Sequence, residues 1–320
     1  MRALVTGING FVGGYLAEHL LDAGGWDLVG TARQSELRLP HLRGQIAYHP
    51  ADLQQRAAAE ALLEQARPEV IFHLAGQANV PRSFEQPGET MVANTLPALH
   101  LFLAALRLGQ EPLLLIVGSN EVYGQIRAED LPVDEDTPLR PVNPYAVSKA
   151  AQDMLALQYH ISHRLRTIRL RPFNHIGPRQ TNQYVAAAFA EQIARIEAGL
   201  QPPMLRVGNL SAERDFTDVR DIVRAYAAAA QHGQPGAVYN IGSGRAVSIR
   251  WLLDTMVGMS SSAITVEPDP ARMRPSDTPL VYADIERFRA ETGWAPQIPL
   301  EHTLRDILDH WRNIVQTAAS

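Results

Sequence analysis

The sequence predicts an α/β fold, a doubly wound parallel sheet joined to a smaller, discontinuous α/β domain. Three observations predict it. Short apolar runs alternate with helical patterns through the first half of the chain, the signature of parallel strands with covering helices. The first run, residues 2–6, passes at once into Gly7-Ile8-Asn9-Gly10-Phe11-Val12-Gly13 and then into an amphipathic stretch, Tyr15 to Leu21. Strand, glycine-rich turn and helix in that order let backbone N–H groups receive a pyrophosphate, so the fold is Rossmann-type. Finally, 320 residues are long for one core, so a second, smaller domain is expected.

The second strand, Trp26 to Thr31, ends where the adenosine ribose of a dinucleotide would sit. No acid stands there before Glu36; Thr31-Ala32-Arg33 does. Arg33 can pair with a 2′-phosphate, which favours NADP(H) over NAD(H); otherwise it faces solvent and selectivity is loose. A third strand, Ile46 to Tyr48, leads to Ala51-Asp52-Leu53. Asp52 either accepts from the adenine amino group or N-caps the helix that runs through Glu64. Pro68 closes that helix, and Val70 to Leu74 is a buried strand ending in Ala75-Gly76-Gln77, small residues that leave room for a cofactor. A helix follows from about Glu89 to Leu108, with Pro97 implying a kink or a late start. The strand Leu113 to Val117 ends in Gly118-Ser119-Asn120-Glu121. Ser119 can hold a substrate oxygen, or serve only as turn chemistry. Glu121 faces either substrate or solvent.

The next stretch, Asn143-Pro144-Tyr145-Ala146-Val147-Ser148-Lys149, carries the chemistry. The chain has 29 Lys+Arg, and Lys149 is the only lysine. Arginine cannot give up its proton or present a compact ammonium, so a lysine kept here marks a position that needs one. Tyr145 lies four residues earlier, on the same helical face. Asn143 suits the N-cap and Pro144 the first turn. A nearby ammonium would lower the phenol from its usual pKa of about 10, making a general acid/base of two residues.

Composition narrows the function classes. Apolar content of 46%, 20% charged residues and net charge −5 describe an enzyme-like chain and argue against a nucleic-acid surface. The absence of Cys excludes disulfides and thiolate sites, and fits a cytoplasmic protein. Neither a signal peptide nor a membrane span is expected. His160 and His163 lie one turn apart, but with no third ligand they read as a solvated face, so no metal is expected. Strands are expected at Thr167 to Leu170 and at 237–241, the latter returning to the main sheet, and helices at Arg250 to Val257 and Leu300 to Val315. The Pro-rich stretch Glu267 to Pro279 reads as a loop. The expected division is therefore 1–171 plus about 237–241 for the dinucleotide, and 172–236 with 242–320 for the substrate.

The set Gly7-x-x-Gly10-Phe11-x-Gly13, Asp52-Leu53, Leu74-Ala75-Gly76, Ser119 and Tyr145-x-x-x-Lys149 resembles the extended short-chain dehydrogenase/reductases. Arg171-Pro172-Phe173-Asn174-His175-Ile176-Gly177-Pro178, Val207-Gly208-Asn209-Leu210, Arg214-Asp215-Phe216-Thr217-Asp218-Val219-Arg220-Asp221 and Arg272-Met273-Arg274-Pro275-Ser276 resemble the GDP-sugar branch, and within it the 4-keto-6-deoxy-mannose reductases. The resemblance implies Tyr145 as proton donor, Lys149 on the nicotinamide ribose and Ser119 on the sugar oxygen. It implies cofactor contacts from Val12, Gln77 and Phe173. On the substrate side it implies contacts from Asn174 and Arg179, guanine contacts from Gly208 and Asn209, and a diphosphate clamp from Arg214 and Arg274. The implied reaction is NADP(H)-dependent reduction of a GDP-linked 4-keto-6-deoxy sugar by a homodimer that pairs through the helices near 90–108 and 145–163. Two alternatives stay open: a GDP-mannose 4,6-dehydratase, with Glu121 as base, and a non-catalytic NADP(H)-sensing module.

Overall fold

A computed structural model describes residues 1–272 and 278–319. β1 (Arg2–Thr6) turns through the glycines into α1 (Phe11–Ala23), followed by β2 (Asp27–Thr31), β3 (Ala47–Tyr48), α2 (Arg56–Ala66) and β4 (Val70–His73). Then come α3 (Val80–Glu85), α4 (Pro87–Leu108), β5 (Leu113–Val117), α5 (Pro144–His163) and β6 (Thr167–Pro172). The second half contributes β7 (Asn174–Ile176), α6 (Val185–Glu197), β8 (Met204–Val207), β9 (Glu213–Asp218), α7 (Val219–His232) and β10 (Val238–Ile241). It ends with β11 (Ala246–Ser248), α8 (Ile249–Val257), β12 (Thr265–Pro268), β13 (Leu280–Val281), α9 (Glu286–Thr292) and α10 (Leu300–Ala319).

The main sheet is seven-stranded and parallel, in the order β10-β6-β5-β4-β1-β2-β3. The order reverses at β1, so a crevice opens at the carboxyl ends of β1 and β4, where Thr6 pairs with both Thr31 and His73. Both faces are covered, which is why these strands read as nearly unbroken apolar runs. Ala3 and Val5 pack into the core shared with α1 and α7, and Leu4 into the core shared with α2 and α4. A third core, with Phe189, Leu253 and Leu304, holds α6, α8 and α10 on the smaller unit, where β9 pairs with β7, β11 and β13.

Four expectations need amendment. α1 starts at Phe11, four residues before Tyr15, because Gly10 is its N-cap and the glycines hide the first turn. The N-cap position of α2 is Gln55, whose side chain makes no cap bond; the Asp52 carboxylate accepts from the Gln54 N–H at 3.1 Å, holding the turn before it. α4 starts at Pro87 and continues through Pro97, so there is no late start. α7 falls inside 172–236, yet its Ile222, Val223 and Tyr226 join the core of Leu16 and Leu20; it therefore covers the main sheet.

α4 is 22 residues long with a mean hydropathy of 1.4 over its most apolar window, enough by those measures alone to cross a membrane. It serves here as a core helix: Leu101, Phe102 and Ala105 are buried against the sheet, and it packs between α2 and α5. Val92 on α4 is exposed, as are Val147, Met154 and Ile161 on α5 and Phe84 on α3, the two helices it also touches.

Candidate active site

The glycine turn is built for close approach. Gly7 has φ +71°, a conformation that costs an L-residue strain, and a Cβ there would sit 2.9 Å from the Ala75 nitrogen. A Cβ on Gly13 would lie 2.3 Å from the Gly7 carbonyl oxygen. No side chain caps α1, so its first-turn N–H groups, from Phe11 on, have no side-chain acceptor, the condition under which a helix N-terminus can receive an anion. Phe11 stacks on His175 at 6.4 Å and 4°, tying this turn to β7. Across the crevice Thr6 Oγ1 accepts from the Leu74 and Ala75 N–H groups, both at 3.1 Å, and meets His73 Nδ1 at 2.9 Å. Burial, with the Lys149 charge adding to it, pushes the His73 imidazole down to about 3. It is neutral at every working pH.

Gly76 and Gln77 are held by a residue that the sequence reading does not single out. Asn94 Oδ1 accepts from the Gln77 N–H at 2.7 Å, and Asn94 Nδ2 donates to the Gln77 carbonyl and to Ser148 Oγ. Thr90, one turn earlier, accepts from Gln77 Nε2 at 3.1 Å. Thr90 and Asn94 are polar residues spaced i, i+4 on the buried face of α4, whose other buried residues, Pro97, Ala98, Leu101, Phe102, Ala104 and Ala105, are apolar. Arg33 is exposed just beyond β2, and Leu53 is buried under α2 with its carbonyl accepting from His100. Phe173 is likewise buried, packed against Tyr123 at 6.4 Å.

Asn143 caps α5 through its side chain, which accepts from the Ala146 N–H, and Pro144 occupies the first turn. The buried face of α5 then presents Tyr145, Ser148, Lys149 and Gln152. Tyr145 reaches the turn after β5, near enough to Ser119 for that hydroxyl to favour its phenolate. Ser119 Oγ also accepts from the Glu121 N–H at 3.2 Å. Lys149 Nζ donates to the Val117 carbonyl at 2.8 Å and to Gln152 Oε1 at 2.9 Å.

That last arrangement corrects the expected electrostatics. The Tyr145 hydroxyl lies above its ordinary value: burial dominates, the Ser119 hydrogen bond opposes it and Glu121 adds to it. The Lys149 ammonium is turned to the edge of β5 and is not among the groups acting on the phenol. Burial lowers Lys149 itself to about 8. Tyr145 is therefore held protonated, as a proton donor.

The substrate-side residues divide. Asn174 Oδ1, at the start of β7, is buried without a partner, as is Thr217 Oγ1 on the paired strand β9. Such groups are costly unless a ligand satisfies them. Arg179 is not brought to the site: its guanidinium makes two bonds to Glu18, at 2.6 and 2.7 Å, and lies 3.8 Å over the Tyr15 ring. It clamps the segment after β7 to α1. Gly208 lets β8 approach the Arg272 backbone, and Asn209 Oδ1 accepts from the Ser211 N–H and hydroxyl in a local turn. Arg214 donates to the Glu213 and Pro279 carbonyls. Arg274 lies outside the described residues. Among the described residues no group of three His, Asp or Glu could hold a metal.

Residues 4–307 match the GDP-mannose 4,6 dehydratase family. The chain is 37% identical to the GDP-6-deoxy-D-mannose reductase of Pseudomonas aeruginosa, covering 98% of both chains. It is 27% identical to a GDP-mannose 4,6-dehydratase of Vibrio cholerae, over 96% of this chain and 92% of that one. The structure of RMD from Pseudomonas aeruginosa complexed with NADPH superposes with a TM-score of 0.87 at 37% identity, covering 98% of this chain and 99% of the other. The parallel sheet, the glycine turn and these matches agree: the chain belongs to the GDP-mannose 4,6-dehydratase family of extended short-chain dehydrogenase/reductases.

Proposed function

We propose that the protein reduces the C4 ketone of GDP-4-keto-6-deoxy-D-mannose with NADPH, giving a GDP-6-deoxyhexose such as GDP-D-rhamnose. The observation that carries this reading is Tyr145 buried beside the Ser119 turn, in a chain 37% identical to a GDP-6-deoxy-D-mannose reductase. The residues fit a dinucleotide: α1 has no side-chain cap, Gly7 and Gly13 leave no room for a Cβ, and Arg33 stands exposed at the ribose end. NADPH, when bound, supplies the hydride. Tyr145 gives its proton to the forming C4 alkoxide while Ser119 Oγ donates a second hydrogen bond to the same oxygen. Asn174 offers its unsatisfied Oδ1 to a sugar hydroxyl, and the Lys149 ammonium supplies positive charge at the carboxyl edge of β5. Oxidation of NADPH, with NADH in parallel, against a panel of GDP- and dTDP-linked 4-keto sugars tests the reading. GDP-linked substrates and NADPH are expected to be preferred, and equal rates with dTDP-linked ketones would contradict it.

The pH dependence follows from Lys149. With the Lys149 ammonium supplying that positive charge, kcat/KM is expected to fall as pH rises through about 8. Stability moves the other way. The folded value lies below the unfolded lysine value of about 10.4, so between the two the unfolded chain binds more protons and stability rises with pH. An activity loss above pH 8 with a steady or rising thermal midpoint supports this assignment; parallel losses of both would contradict it.

The exposed apolar side chains Phe84, Val92, Val147, Met154 and Ile161 support a homodimer packed through α4 and α5. A second copy would also cover these apolar side chains, which otherwise face solvent.

A further inference from the structure

The proposed reduction leaves Glu121 without a task, yet its carboxylate is engaged. Glu121 Oε2 accepts from Asn143 Nδ2 at 3.0 Å. Asn143 is buried, and its Oδ1 accepts from the Ala146 N–H at 2.8 Å while its carbonyl accepts from the Val147 N–H at 3.0 Å. Both ends of one amide are thus committed, the oxygen to α5 and the NH2 to Glu121. On its other side the Glu121 N–H donates to Ser119 Oγ at 3.2 Å. The bonds run from the Ser119 turn, through Glu121 and Asn143, to the first turn of α5, where Tyr145 lies next to Asn143 and Pro144. No acid on α5 itself occupies that first turn, so the Glu121 carboxylate is the negative charge at the positive end of the helix.

We propose that Glu121 is a positioning residue: through Asn143 it fixes the first turn of α5 against the Ser119 turn and so sets the spacing of the Ser119 and Tyr145 hydroxyls. It exchanges no proton with the substrate. The kinetic part of this inference rests on the reduction proposed above. Two hydroxyls that must meet one oxygen tolerate little displacement, and a misplacement of about 1 Å can cost on the order of 10²-fold.

The link can be tested by exchanging its polarity. Glu121→Gln keeps an oxygen to accept from Asn143 and is expected to retain at least about a third of kcat, whereas Glu121→Ala is expected to lose about 30-fold, both with an unchanged Kd for NADPH. Asn143→Asp still caps α5 but sets two carboxylates face to face, and a loss of at least about tenfold is expected. In the double variant E121Q/N143D the new amide donates to the new carboxylate, and kcat is expected to return to within about threefold of wild type. A proton-transferring carboxylate at position 121 could not be rescued in that way. The inference is overturned if Glu121→Gln falls as far as Glu121→Ala, if the double variant stays at the level of Asn143→Asp, or if Asn143→Asp is as active as wild type. Hydrogen exchange over residues 143–150 reads the link without turnover: exchange rises in Glu121→Ala and Asn143→Asp and returns in the double variant. Wild type that oxidises no NADPH with any keto sugar would sink the proposed function alone. Unchanged exchange in Glu121→Ala would sink this inference alone.

Discussion

Tyr145→Phe is expected to lower kcat by about 10²–10⁴-fold while leaving the Kd for NADPH within about twofold of wild type. The substitution removes one oxygen from a side chain that is 7% exposed and leaves the ring packing in place. What disappears is the proton donor. Ser119 remains as a hydrogen-bond donor to the substrate oxygen, so residual turnover should survive through water. Stopped-flow measurement of NADPH oxidation, with fluorescence titration of the cofactor, separates the two effects. A variant keeping more than about a tenth of wild-type kcat would remove Tyr145 from its role.

The second large effect is on stability. Asp153, one turn beyond Lys149, is 2% exposed and accepts from Arg171 Nε at 2.9 Å, Arg171 Nη2 at 3.1 Å and Arg169 Nη1 at 3.1 Å. Arg171 in turn donates to the Tyr123 hydroxyl at 3.0 Å, and Tyr123 donates to Asn240 on β10. Asp153→Ala strands two buried guanidinium groups without their anion. The expected cost is about 3–5 kcal/mol, since removing one partner leaves an uncompensated charge in the interior. Urea unfolding with an unchanged m-value checks it, and a loss below about 1 kcal/mol would mean that water or backbone carbonyls satisfy the arginines.

Much of this architecture could be read in advance because it repeats simple periods. The parallel strands show as apolar runs between helices, the glycine turn as spacing, and α5 as a cap, a proline and a tyrosine–lysine pair. The strand at 238–241 returns to the sheet beside β6 as expected. What could not be read depends on direction rather than period. Arg179 is one arginine among many, and only the fold brings Glu18 and Tyr15 beneath it. Spacing puts Tyr145 and Lys149 on one helical face, but the rotamer that sends the ammonium to Val117 and Gln152 is set by tertiary acceptors. Burial, which has no signature in the local sequence, then outweighs charge at the phenol. Nor does the local sequence show that Asp153, Arg169 and Arg171 meet in the interior, since their pairing joins α5 to β6. The side of the molecule that α7 covers was hidden too, because an amphipathic pattern says that a face is buried and not against what.

The most direct test gives the purified protein GDP-mannose alone in one reaction, and GDP-4-keto-6-deoxy-D-mannose with NADPH in another, and follows nucleotide sugars and cofactor together by mass and absorbance. The expected result is unchanged GDP-mannose in the first, and in the second a deoxyhexose gaining one hydride and one proton for each NADPH oxidised. Loss of water from GDP-mannose without added reductant, and an inert keto sugar, would contradict it and make the protein a lyase.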